Sequence, residues 1–279
     1  MNAASLGAEN VTPYPIPFFL PLESGQRFCL YHPAVSTSAS PDCVLHIHAF
    51  AEEMNKCRRN AALLARKLAS EGIAVLQIDL LGCGDSSGEF ADANWAIWQQ
   101  DLLEALHYLR QRHDGKIHLW ADRLGALLAA ELITQHNAQV DQILLSQPVF
   151  DGDQYIHQLK RSLVARAMLN PQGSDPTTVA TSHVEIAGYE LSNNLMNTIS
   201  NRTISTSALA ARQIHWIEIV KQLPATLPPA RQKVLDQWLQ LGNPVQLHYV
   251  QGEPFWQTPE VSISEAWINA CVAVFKDQA

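Results

Sequence analysis

The 279-residue sequence predicts an α/β protein: a mostly parallel central sheet with helices on both faces and a helical insertion over one end. Three observations carry this. Short, almost continuously apolar segments alternate with amphipathic ones, the pattern of strands buried on both faces and of the helices that cover them. The stretch "IHLWADRLGALLAAEL", residues 117–132, reads as strand, sharp turn and helix with no spacer between them. Upstream, "QIDLLGCGDSSG" sets Asp79, Gly82, Gly84 and Ser86 in a loop whose glycines permit a tight reversal beside a strand.

Taken in order, residues 1–17 read as an irregular lead-in with prolines at Pro13, Pro15 and Pro17. "RFCLYH" is an expected edge strand, "STSASPD" a loop and "CVLHIHAF" a buried strand. The helix "NKCRRNAALLARKLASEG" ends at Gly72 in the manner of a C-cap. "IAVLQIDL" is the next buried strand. After the glycine loop come helix "NWAIWQQDLLEALHYLRQRH", strand "KIHLW", helix "LGALLAAELITQH" and strand "QILLSQPV". Residues 18–150 thus form the first part of the core. The rhythm then breaks. Residues 151–212 carry short helical patterns, "QYIHQLKRSLVARAML", "GYELSNNLMNTI" and "STSALAAR", and no convincing strand. They are expected to form a helical cap over the carboxyl ends of the strands, where open α/β sheets bind ligands. The second part of the core, 213–279, resumes with strand "QIHWIEI", helix "ARQKVLDQWLQLG", strand "VQLHYV" and a last helix, "VSISEAWINACVAVFK".

Hydrophobic residues make up 47% of the chain, enough to fill such a core, and the formal net charge is -8. That balance argues against a nucleic-acid partner, which needs a basic face to neutralise phosphates. Five scattered cysteines, odd in number and without CxxC spacing, indicate neither a disulfide framework nor a zinc site. Reduced thiols in a cytoplasmic protein are the expectation. The first residues lack a basic segment followed by an apolar run, so no secretory signal is expected, and no apolar run is long enough for a membrane span. His46 and His48 share a strand face but lack a third ligand, so no metal or other cofactor is expected. His118, His215 and His248, also in strands, read as structural.

The motif order is that of an α/β-hydrolase, whose strand-to-helix turn carries G-x-S-x-G with the serine at its tip. Here the turn is Ala121-Asp122-Arg123-Leu124-Gly125. A small residue two positions after the tip lets helix and strand pack closely, so Gly125 sets Arg123 at the tip. Asp122 is the competing register, since aspartate also serves as a nucleophile. An acid and then a histidine should follow in chain order. "VKQLPATLPPA", after one late strand, contains no Asp or Glu, and "QGEPFWQTPE", after the next, offers Phe255 and Trp256 where a histidine is expected. Asp151 and Asp153 are displaced acids without a histidine to orient. Catalytic residues therefore stay unassigned, with Asp122, Asp151 and Asp153 as weak candidates.

What survives of the site still has the groups to bind a ligand. The backbone N–H of Leu124 and one near Ala49 or Phe50 correspond to the oxyanion donors of this fold. The Arg123 guanidinium adds a planar fork suited to carboxylate or phosphate. Against this, Glu52 or Glu53 could hold Arg123 in a buried ion pair that plugs the pocket. His48, at the strand end leading into the same loop, is a candidate ligand contact, and Phe255 and Trp256 are expected to line the pocket.

Together, "HIHAFAEEMNKCRRN", "AVLQIDLLGCGDSSGEF", "IHLWADRLGALLAAEL", "EIAGYELSNNL" and "GEPFWQTPE" resemble the exosortase A system-associated α/β-hydrolases. The likeness spans about residues 18–270 of the sequence. It implies a bacterial protein linked to exopolysaccharide biosynthesis, a hydrolase by name without a stated substrate, and arginine at the elbow as a family feature. Two functional classes follow. One is a protein with a degenerate Ser-His-Asp triad that binds a small anionic, acyl or glycan-related ligand at Arg123, or a protein partner of the exopolysaccharide system. The other is an active hydrolase or acyltransferase with a non-standard site, acting on an ester or glycan-related intermediate.

Overall fold

A computed structural model describes residues 14–276 apart from 37, 39, 170–182, 187, 205–208, 210 and 212. Its centre is an eight-stranded sheet in the order β1-β2-β4-β3-β5-β6-β9-β10. Strands β1 (Ile16–Leu22) and β2 (Gly25–His32) run antiparallel to their neighbours. Strands β3 (Cys43–Ile47), β4 (Ala74–Ile78), β5 (Ile117–Asp122), β6 (Gln142–Ser146), β9 (Gln213–Val220) and β10 (Val245–Gln251) pair in parallel. The "RFCLYH" strand is not the edge, because β1 covers it from Ile16, inside the expected lead-in. Pro15, Pro17 and Pro21 obscured that strand in the sequence; prolines are tolerated at a sheet edge, where no ladder hydrogen bond is lost.

Every residue of β3, β5 and β6 is buried. Alternation along them divides the interior in two. Leu45, Ile47, Leu119, Ala121, Ile143 and Leu145 face one cluster, with α2 (Trp95–Arg110) and α3 (Gly125–Thr134). Val44, Trp120 and Leu144 face the other, with α1 (Glu52–Ser70) and α7 (Glu265–Lys276). Helix α1 stops as its terminal glycine predicts, with Gly72 at φ 89°.

The segment after β6 opens with α4 (Gly152–Leu169) and contains a two-stranded antiparallel hairpin, β7 (His183–Ile186) and β8 (Tyr189–Ser192), where the sequence pattern suggests no strand. Four-residue strands give too short an alternation to register. Helix α5 (Asn193–Ser200) follows, N-capped by the Ser192 hydroxyl on the Leu195 amide. The "STSALAAR" pattern falls largely outside the described residues. Helix α6 (Pro229–Gln240) joins β9 to β10 and buries Trp238 in the first cluster.

Candidate functional site

Arg123 stands at the tip of the turn from β5 to α3 with φ 52°, a left-handed conformation that costs a non-glycine residue about 1–3 kcal/mol. The surrounding backbone holds it there. Its amide donates to the Ser146 carbonyl at 3.0 Å, and its own carbonyl accepts from Val149 at 3.0 Å and Ala126 at 3.2 Å. Gly125 lies so close to the neighbouring strand β3 that an added Cβ would stand 2.6 Å from the Ile47 carbonyl oxygen. Among the described residues four non-glycines have positive φ, and three of them, Ala51, Arg123 and Gln147, follow the carboxyl ends of β3, β5 and β6. Strain of this kind persists where the surroundings over-determine it, and it concentrates at functional sites.

Arg123 is 8% exposed. Nε and Nη2 donate to Oε1 of Glu53 at 3.2 and 3.0 Å, and Nη1 donates to the Gln147 carbonyl at 2.9 Å. The Tyr155 hydroxyl, from the first turns of α4, donates to the other Glu53 oxygen at 3.0 Å. Burial works against the Arg123 charge, but the Glu53 carboxylate outweighs it, so the guanidinium holds its proton more firmly than usual. The Tyr155 phenol is pushed well up by burial and by Glu53, and stays protonated. The Trp256 ring lies under the guanidinium carbon at 5.1 Å. Of the two glutamates considered from the sequence, Glu53 is the partner.

A second ion pair adjoins the first. Arg231 on α6 donates through Nε to Glu218 Oε1 at 2.5 Å and through Nη2 to the Pro148 carbonyl at 3.0 Å. Glu218 also accepts from Trp216 Nε1 and from Gln147 Nε2. Gln147 bridges the pairs: its carbonyl serves Arg123 while its side chain serves Glu218 and takes the Ile219 amide. Arg123 and Arg231 open onto one cavity of about 280 Å³. Pro148, Phe150, Asp151, Tyr155 and Lys233 also line it.

The other candidates lie elsewhere. Asp122 points to the opposite face of the sheet, where it accepts from Trp120 Nε1 at 2.8 Å and is bonded to His46 at 3.0 Å. It is not at the tip. Asp151 is exposed, lines the cavity and caps the Gln154 amide. Asp153 is exposed beside His157. His48 lines a different cavity, between α1 and the sheet, and burial holds its pKa down. Ala49, Phe50 and Phe255 are buried, the rings of Phe50 and Phe255 packing on Trp98 and Trp267 respectively. Trp256 meets Arg123 from inside the core and is not a lining residue of its cavity. Glu52 sits one position before the Arg123 partner on α1, on a different side of the helix. No acceptor among the described residues takes the Leu124 amide hydrogen, so this donor is available at the elbow. The described residues contain no cluster of three metal-ligating side chains and no helix long and apolar enough to cross a membrane.

Tyr155, Gln147, Glu218 and Arg231 did not stand out in the sequence. One signal was present: Glu218 interrupts the apolar run of "HWIEIV", and a charge inside a buried strand demands a partner.

The serine aminopeptidase S33 profile matches residues 39–226, more than half of the chain. No curated protein sequence matches. Among solved structures, the chain is similar to Est1E from Butyrivibrio proteoclasticus with bound ferulic acid, with 14% identity and a TM-score of 0.66 over 94% of this chain and 98% of that one. It is similar to α/β-hydrolase domain-containing protein 10 from mouse, at 15% identity and a TM-score of 0.59 over 94% and 98%. It is also similar to XC6422 from Xanthomonas campestris, an α/β serine hydrolase without a lid, at 12% identity and a TM-score of 0.55 over 94% and 92%. Identities this low speak to the fold alone. Sheet order, elbow geometry and the profile match agree: the chain belongs to the serine aminopeptidase S33 family and has the α/β-hydrolase fold.

Proposed function

We propose that this protein has lost the Ser-His-Asp triad of its fold and uses the elbow as a receptor for a small anionic ligand. The observation that carries the reading is the Arg123 guanidinium, set by a strained turn at the tip where the fold ordinarily presents a nucleophile, and opening onto a cavity. A guanidinium has no lone pair to attack a carbonyl, and no histidine stands in the loop after β10 to serve as a base. What it does offer is charge and oriented N–H donors. Glu53 fixes the plane of the guanidinium and neutralises its charge while the cavity is empty; an incoming anion shares or replaces that carboxylate. The resemblance to exosortase A system-associated proteins supports a link to exopolysaccharide biosynthesis, and the five free thiols support a cytoplasmic setting.

The test combines binding and turnover. Titration calorimetry with acetate and with inorganic phosphate should give saturable binding to the wild type. Arg123→Gln should weaken it about ten- to a hundredfold, the worth of a buried charge-assisted hydrogen bond. Short p-nitrophenyl esters should turn over at background rates. Robust esterase activity abolished by one substitution in the cavity would overturn the reading, and so would anion binding indifferent to Arg123.

A further inference from the structure

The two arginines facing one cavity say more than that an anion fits. We infer that the cavity between α4 and α6 is a receptor for a tetrahedral phosphate dianion, with Arg231 and Lys233 selecting it over a carboxylate. This rests on the anion-receptor reading of Arg123 and narrows it to one ligand chemistry.

The charges lining the cavity are mostly positive. Arg123, Arg231 and Lys233 line the cavity, with Asp151 as its single lining carboxylate. Glu53 and Glu218, which pair with the arginines, are not lining residues, whereas both arginines are. Pairing does not exhaust the donors. A guanidinium has five N–H groups. Arg123 uses Nε and Nη2 on Glu53 and Nη1 on Gln147, and Arg231 uses Nε on Glu218 and Nη2 on Pro148. Their other N–H groups have no acceptor among the described residues.

The two cations are also close enough to feel each other. Burial is the main cause that lowers the proton affinity of Arg231, and the Arg123 charge adds to it. Glu53 and Glu218 already balance these two charges, so a ligand has to share or displace them: a single negative charge replaces one carboxylate, whereas a dianion can take the place of both. Gln147, hydrogen-bonded to both pairs, fixes their relative position before any ligand arrives, which lowers the ordering cost of binding.

Shape discriminates further. A carboxylate is planar and matches a single guanidinium fork. A phosphate monoester carries about -1.5 to -2 charge near neutral pH and presents three oxygens in different directions. That suits two forks carried by different elements, the elbow and α6. The cavity volume of about 280 Å³ admits only a small ligand.

The experiment is titration calorimetry on the full chain at pH 8, with inorganic phosphate, glycerol 3-phosphate and acetate as probes. At least one phosphate probe should bind about tenfold or more tightly than acetate. Arg231→Gln should weaken the phosphate probe about ten- to a hundredfold while moving acetate by less than about threefold. Lys233→Gln, on the exposed side of α6, should weaken phosphate by a smaller but measurable factor, and it decides the same question if Arg231→Gln fails to fold. Tighter binding of glycerol 3-phosphate assigns the site to a monoester, and tighter binding of inorganic phosphate assigns it to the free ion. If acetate and phosphate bind alike, sensitive to Arg123→Gln but not to changes at Arg231 and Lys233, the inference falls and the Arg123 receptor stands. If no probe binds in an Arg123-dependent way, both fall.

Discussion

Arg123→Ala leaves Glu53 facing Tyr155 alone, and the cost of that change can be worked from the contacts. Arg123 contributes three hydrogen bonds, two of them to a carboxylate, and the two side chains are 10% and 14% exposed. Removing one partner of a buried ion pair typically costs about 3–5 kcal/mol, chiefly because the remaining charge is stranded. The slight exposure of both groups favours the lower half of that range. Backbone strain works the other way in one comparison: alanine keeps the φ penalty at 52°, whereas glycine removes it, so Arg123→Gly should recover about 1–3 kcal/mol relative to Arg123→Ala. Glu53→Gln alone leaves Arg123 with its Gln147 contact but no neutralising charge, and should itself destabilise. In the double mutant Arg123→Ala with Glu53→Gln, neither charge is stranded, so the combined loss should fall short of the sum of the single losses by about 1–3 kcal/mol. Urea unfolding followed by tryptophan fluorescence and by circular dichroism supplies the four free energies of the cycle and checks that the transition is two-state. Additivity within about 0.5 kcal/mol would refute the pairing. Equal stability of the alanine and glycine variants would refute the strain at the elbow.

Three further outcomes follow from the same structure. Burial lowers the pKa of His32, His48 and His118 below the ordinary histidine value of 6.5, so on acidification the unfolded chain takes up these protons first. Stability should be fully present well above pH 6.5 and fall as the pH drops through that value, by at most about 1.4 kcal/mol per pH unit for each histidine; a urea midpoint that stays flat or rises on acidification below pH 6.5 would contradict it. Gly125→Ala should destabilise by about 1–3 kcal/mol or prevent folding, because its Cβ meets the Ile47 and His48 carbonyls at 2.6 and 3.0 Å, and a wild-type melting curve would show that the elbow is looser than this contact implies. All five cysteines are buried, with Cys29 and Cys43 pushed up to about 12 mainly by burial, so a thiol reagent should react with the native protein only at the rate of its opening. Rapid labelling of any cysteine in native buffer would place that thiol at the surface.

The division between what the sequence disclosed and what it withheld follows the range of the interactions. The parallel sheet was legible because burial on both faces demands continuous apolar strands, and β3, β5 and β6 meet that demand at every position. Arg123 at the tip was legible because a local spacing, Gly125 two residues on, encodes the close approach of helix to strand. Strand β1 was hidden by its prolines and the β7–β8 hairpin by its brevity. Tyr155, Gln147 and Arg231 were invisible for a different reason. Each acts through a contact made by tertiary packing, far from its partner in the chain, and each is an ordinary residue in its own segment.

The choice between Glu52 and Glu53 belongs to neither class. Both are acids in the first turn of α1, and composition treats them alike. Helical phase does not. Residues three and four apart share a face, and from Glu53 that face runs through Cys57, Asn60 and Leu64, all buried. From Glu52 it runs through Lys56, Arg59 and Leu63, none of them buried. The apolar stripe that anchors α1 to the sheet therefore carries Glu53 inward toward β5 and turns Glu52 away. The ion pair with Arg123 is thus written in the spacing of residues a full turn and more beyond the glutamate itself, and it becomes readable once the helix is treated as a rotating frame and not as a string.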